Sequence, residues 1–298
     1  MKYLDPKADL TFKRVFGEHP DLVMSLLNAL LPIPDGQEIT EIEYLPAEMM
    51  PDNPLRKNSI VDVRCKDKFG RQFLVEMQMI WSQEFELRVL FNASKAYVRQ
   101  IDTGKQYELL QPVYSLNLVN KVFEPELEGF YHYYRLVHEE HTDRVIDGLH
   151  LIFVELPKFS PHSYSEKKMQ VLWLRFLTEI NEKTRAVPED LLANSEVKKA
   201  ITALEESAFT DAQLLGYEKF WDIISVEKTL YGSAERRGLK KGLEQGIQQG
   251  IEQGIQLCIQ QGIEQGKLEV ARTMKSNGMS VEMVAKYTGL SLEDVRSL

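Results

Sequence analysis

The sequence predicts an α/β core followed by an all-α C-terminal extension. Strand-type and helix-type runs alternate from the start to about residue 160, as in mixed layered domains. Beyond that point apolar residues recur only at helical spacing. A run of glycines at four-residue intervals then precedes a short tail. These changes of texture set the boundaries: 1–160 for the core, 161–232 for a helical extension, 233–270 for a glycine-repeat helix or linker, and 271–298 for a small helix-turn-helix-like tail.

In the core, "DLTFKRVFGEHPDLVMSLLNALLP" has helical spacing interrupted near Gly17–Pro20, since glycine and proline punctuate helices. "EITEIEYLPAEM" alternates and reads as a strand. "NSIVDVRCKD" and "RQFLVEMQM" are two β-type runs joined by Lys68, Phe69 and Gly70. "EFELRVLFNASKAYVRQI" is an amphipathic helix that stops before Gly104. "QPVYSLNLVN" and "HLIFVEL" are strands, the second closed by Pro157. In the extension, "SEKKMQVLWLRFLTEIN", "PEDLLANSEVKKAITALEES" and "DAQLLGYEKFWDIISVEKTLYG" read as helices, with Ser165 and Pro188 near two starts.

The glycines are Gly238, Gly242, Gly246, Gly250, Gly254, Gly262 and Gly266, with Cys258 in the broken slot. Interior glycines cost an isolated helix ~0.8–1 kcal/mol each relative to alanine. The segment is therefore either a loose linker or a helix whose small stripe admits a second helix. A four-residue period drifts about 40° per repeat against a helix that turns about 100° per residue. Such a stripe winds round the axis and suits a second copy, so a homodimer through 238–266 is expected. In the tail, helices end at Asn277–Gly278 and at Thr288–Gly289 and restart after Ser280 and Ser291. That spacing fits a helix-turn-helix or a small helical cap. The last two helices carry Lys286 and Arg296 as basic residues against the acidic Glu282, Glu293 and Asp294, which is poor equipment for gripping phosphates.

The 298 residues carry a formal net charge of −9, so no global charge advertises nucleic acid; a local basic patch remains compatible with it. Cys65 and Cys258 are far apart, which argues against a disulfide framework or a zinc cluster and fits a reducing compartment. The N-terminus does not read as a secretory signal and no apolar run spans a bilayer. A cytoplasmic protein away from membranes is expected.

The chemistry concentrates in the two β-type runs. A three-residue loop with glycine last is a common hairpin connection. If Asp67 pairs with Arg71, Asp62 lies across from Glu76, and Gln78 shares their face. Val61, Val63, Val75, Met77 and Met79 then form a core face. Opposed carboxylates repel. A divalent cation such as Mg²⁺, which takes hard oxygen ligands, relieves that repulsion; a wet edge hairpin is the alternative. His138 and His141 suggest an exposed loop or short helix more than a metal site, and the aromatic cluster at 130–136 a half-buried strand more than a base-stacking platform.

Asp62, the hairpin and Glu76-Met77-Gln78 resemble the PD-(D/E)xK nuclease motif, with glutamine where its last position usually has lysine. "DPKADLTFKRVFG", "DVRCKDKFGRQFLVEMQM" and "ELRVLFNASKAYVRQIDTGKQYELLQPVYSLNLV" are similar to the recombination-promoting nuclease and transposase family within that superfamily. The helical extension, the glycine repeat and the ending "GLSLEDVRSL" are similar to its tail. The resemblance implies a restriction-endonuclease-like mixed sheet flanked by helices. It implies hydrolysis of DNA phosphodiester bonds with Mg²⁺ or another divalent cation, in recombination or mobile DNA. Asp62 and Glu76 take the places of metal ligands, and Gln78 that of the catalytic lysine. Asp9 is a further candidate ligand or, alternatively, a helix N-cap. Glutamine neither carries charge nor accepts a lysine's proton. Compensating cations, or solvated surface charges, are Arg88, Lys95 and Arg99 on the following helix and Lys13 and Arg14 on the first. The alternatives are a DNA-binding or assembly protein that keeps the fold with little catalysis, and a transposase component.

Overall fold

The computed structural model describes residues 2–49, 59–102, 104, 106–161 and 168–298. The chain divides into two compact units, Met1–Lys228 and Thr229–Leu298.

The first unit opens with helix α1 (Asp9–Phe12), a π-helical turn over Lys13–Gly17, and α2 (Pro20–Leu30). Gly17 ends the first stretch and Pro20 starts the next, since proline's missing N–H costs nothing in a first turn. Strands β1 (Ile42–Tyr44), β4 (Val63–Asp67), β5 (Gln72–Gln78), β6 (Val113–Val119), β7 (Tyr131–Val137) and β8 (Val145–Glu155) make one sheet. Its order is β1-β4-β5-β6-β8-β7, and β2 (Glu48–Met49) and β3 (Ser59–Ile60) form a separate pair. The β5–β6 and β6–β8 pairings are parallel and the others antiparallel. The mixed sheet flanked by helices, with helices alone after it, is the fold class expected.

Helix α3 (Gln83–Val98) connects the parallel strands β5 and β6. Its Phe85 and Val89 pack on Val119 and Phe153, and its Ala93 and Ala96 on Leu74 and Val113. The opposite face of the sheet meets α2 and α4 (Lys168–Glu179) in the main core, around Phe16, Leu26, Phe73, Val75, Trp173 and Phe176. The central strands are thus covered on both sides, and β6 is buried from end to end. Each such buried large apolar side chain is worth about 1.5–3 kcal/mol. Helices α5 (Glu189–Leu192) and α6 (Ser195–Thr202) complete this layer. The expected helix start at Ser165 lies outside the described residues.

The hairpin register is the one the loop chemistry implies: Val63 pairs with Val75 and Lys66 with Gln72. Gly70 takes φ +86°, the conformation that favours glycine. The run expected as one strand from 58 to 67 is interrupted at Val61 and Asp62, between β3 and β4. Val61 therefore joins Leu74, Ala93 and Ala96, while Val63 joins Val75 on the other side of the sheet. At Val61 the backbone turns to bond with the Ala47 carbonyl instead of continuing the β4 ladder, so these valines do not share a face.

Helix α7 runs over Asp211–Ser276, with the glycine repeat inside it. A Cβ built on any of the seven repeat glycines meets nothing within 4 Å. In the second unit the end of α7 packs with α8 (Val281–Thr288) and α9 (Leu292–Ser297) around Ala271, Val284 and Val295. Ser280 and Ser291 cap the two short helices by accepting amide protons from Met283 and Asp294. Gly278 and Gly289 have φ of +85° and +71°.

Candidate active site at the end of the central strands

Glu76 and Gln78 stand at the end of β5, where Gln78 pairs with Val119 at the end of β6. Crevices outside the carboxyl ends of parallel strands are where open α/β sheets bind ligands. Asp62 arrives there because the ladder stops at Val63. Its Oδ2 accepts the Met77 amide proton at 2.7 Å, so a side chain replaces the missing backbone partner. The half-buried Asp62 lines a cavity of about 210 Å³ together with Lys7, Asp9, Gln78, Phe220 and Glu227.

Glu76 is buried. Asn92 Nδ2 donates to its Oε1 at 2.9 Å, and Arg88 Nη2 reaches its Oε2 at 3.4 Å. Burial holds both carboxyls above their ordinary range. The amide of Met77 and the charges of Lys13 and Arg88 oppose this at Asp62, where the charge of Asp9 adds to it. Asn92 and Arg88 oppose it at Glu76, where the charge of Asp62 adds to it. The charge of Asp62 thus reaches Glu76, although Asp62 itself stands outside the β4–β5 ladder.

Gln78 is engaged at both ends. Its Oε1 accepts from Arg88 Nη2 at 2.8 Å and its Nε2 donates to the Ile80 carbonyl. Arg88 also lies over the Phe85 ring, 4.8 Å from its centroid. Asp9 starts α1 but caps nothing with its side chain, and pairs with Lys13 at 2.6 Å. Lys95 donates to the Met49 carbonyl. Arg99, the residue just after α3, is exposed. Arg14 donates to the Ala208 carbonyl at 2.8 Å and covers Phe209, a tie between elements. His138 and His141 sit in the exposed loop between β7 and β8. Tyr131–Val137 is a strand, with His132 buried and Tyr134 exposed.

Asn92, Lys7 and Glu227 were not singled out by sequence reasoning. The trace of Asn92 is its place four residues after Arg88, on the same helical face. Lys7 and Glu227 leave no local trace, because 220 residues of chain separate them.

The chemistry of these donors fits a hard divalent cation. Asp62 and Glu76 offer carboxylate oxygens in a buried setting that disfavours their uncompensated charge. Among the described residues no three His, Cys, Asp or Glu side chains are grouped to hold a metal. Mg²⁺ is commonly bound through one or two carboxylates, with water and phosphate oxygens completing the shell.

Residues 6–225 match the family model described as PD-(D/E)XK nuclease family transposase. The chain belongs to that family. Residues 264–298, which hold the capped helices α8 and α9, match the Rpn/YhgA-like nuclease family, C-terminal HTH domain. No match is found among curated proteins or among solved structures. The family match spans α1, the hairpin of Asp62 and Glu76, α3 and the start of α7, and so includes every residue lining the cavity up to Ile224.

Proposed function

We propose that the protein is a metal-dependent DNA endonuclease that hydrolyses phosphodiester bonds and acts on mobile or recombining DNA. The observation that carries this reading is that Asp62, at a cavity by the end of β5, stands near enough for its charge to act on the buried Glu76, in a chain of a nuclease family. Asp62 and Glu76 are the residues that would hold Mg²⁺ or a similar cation, with Asp9 at the cavity as a further acidic donor. When bound, such a cation supplies charge stabilisation of the phosphodiester and a more acidic water. The protein's part is positional: the Met77 amide fixes Asp62, and Asn92 fixes Glu76. Water attacks phosphorus, one P–O ester bond breaks, and the departing oxygen takes a proton. Lys13, Arg88, Lys95 and Arg99 are proposed to meet DNA phosphates. The tail is proposed to bind DNA through its helix-turn-helix, and residues 238–266 to pair two copies.

The test is cleavage of supercoiled plasmid by wild type and Asp62→Ala with Mg²⁺, Mn²⁺, Ca²⁺ or EDTA. Nicking or linearisation that needs metal and is lost in Asp62→Ala supports the reading. The glutamine at position 78 favours a second reading, a DNA-binding or assembly protein with little catalysis. DNA retained but uncut with every metal would select it, and joined DNA products would select a transposase component.

A further inference from the structure

We infer that Arg88 is the cation of this site, standing in for the lysine absent at position 78, and that Gln78 is the residue that positions it. The inference deepens the nuclease reading and rests on it.

An amide has one acceptor oxygen and two N–H donors. Turning the Gln78 amide over would set its NH₂ against the guanidinium and its oxygen against the Ile80 carbonyl, so the partners fix its orientation. Held at both ends, Gln78 is built to hold a neighbour rather than to steer a free water. The neighbour is Arg88. Its bonds to Gln78 Oε1 (2.8 Å) and Glu76 Oε2 (3.4 Å) both use Nη2, and Phe85 supports the plane from one side. The side chain is still 48% exposed. Among the described residues Arg88 has no hydrogen bond through Nη1 or Nε. With Nη2 held by Gln78 and Glu76, the guanidinium keeps N–H groups on Nη1 and Nε that can each donate singly to a phosphate oxygen.

The other cations are less well placed. Lys7 is buried, paired with Asp5 at 2.9 Å and bonded to the Leu177 carbonyl at 2.9 Å. Lys95 is turned to the Met49 carbonyl. Lys13 is held by Asp9 on α1. Arg88 alone among these four touches both Glu76 and Gln78.

The experiment is steady-state nicking of supercoiled plasmid in Mg²⁺, with DNA binding measured separately in Ca²⁺. The proteins are wild type, Asp62→Ala, Arg88→Ala, and Arg88→Ala combined with Gln78→Lys. Arg88→Ala is expected to lower kcat by about 10²–10³-fold, the loss typical of one preorganised electrostatic donor, with the larger share in kcat rather than KM. Added guanidinium ion should restore part of the Arg88→Ala activity and none of that of Asp62→Ala. The double variant should recover at least about tenfold over Arg88→Ala, equivalent to ~1.4 kcal/mol of barrier, because a lysine then stands at the empty charge. Wild-type kcat in Arg88→Ala overturns the inference. So does a loss that neither guanidinium nor the double substitution relieves, because Arg88 is then a structural support. If wild type and Asp62→Ala cut alike, or wild type cuts with no metal tested, the nuclease reading itself has failed and this inference falls with it.

Discussion

Asp62 Oδ2 takes the Met77 amide proton, so Asp62→Asn keeps an acceptor at that bond while removing the charge. Burial holds the Asp62 carboxyl above its ordinary value. The native state therefore binds this proton more tightly than the unfolded chain, and metal-free stability falls as pH rises above the ordinary carboxylate range. Asp62→Asn should accordingly melt higher than wild type in EDTA near neutral pH, gain nothing from Mg²⁺, and lose plasmid nicking by about 10²-fold or more. Melting curves with and without metal check the sign; equal melting temperatures in EDTA would contradict it. Asn92→Ala strands the buried Glu76 Oε1 and also removes one partner of Ser59 Oγ, at 2.6 Å. The expected cost is about 1–3 kcal/mol, the usual penalty for an unsatisfied buried polar group, read from urea unfolding. At this scale the sequence named Asp62 and Glu76 as candidates. It did not show Asn92 as the neighbour of Glu76, because a buried asparagine and a surface one look alike in an amphipathic helix.

Helix α7 carries its glycines where a side chain would meet nothing, so they answer to no contact within the chain. Gly250→Ala should raise helix stability by ~0.8–1 kcal/mol, measured by circular dichroism on heating. If a second copy approaches along the stripe, the same substitution should weaken self-association in sedimentation, which separates an intrinsic effect from a packing one. The short elements of the tail were legible in advance because serine caps and positive-φ glycines act within four residues. The break between β3 and β4 was not. Nothing local in "SIVDV" announces that Asp62 will leave the ladder, since alternation alone favours a continuous strand.

For the molecule as a whole, every residue around the cavity, Glu227 included, lies within the first unit, Met1–Lys228. A chain ending at Lys228 should keep metal-dependent nicking within about tenfold, a barrier change of ~1.4 kcal/mol, while losing whatever DNA affinity the tail adds. Plasmid cleavage and gel retardation by the two lengths test this; complete loss of cleavage with retained fold would move part of the site into the second unit. No helix among the described residues is long and apolar enough to cross a membrane.

By itself the sequence determined the alternation of strands and helices, the hairpin register through Gly70 and the capped tail helices. These depend on spacing, turn chemistry and capping, which act over a few residues. Only the tertiary structure decided that the chain bends at Asp62, that Lys7 and Glu227 border one cavity, and that Gln78 is clasped by Arg88. Those outcomes follow from which buried polar groups must find partners once the sheet closes between α3 and the α2–α4 layer, and partners so distant in sequence are fixed by packing alone.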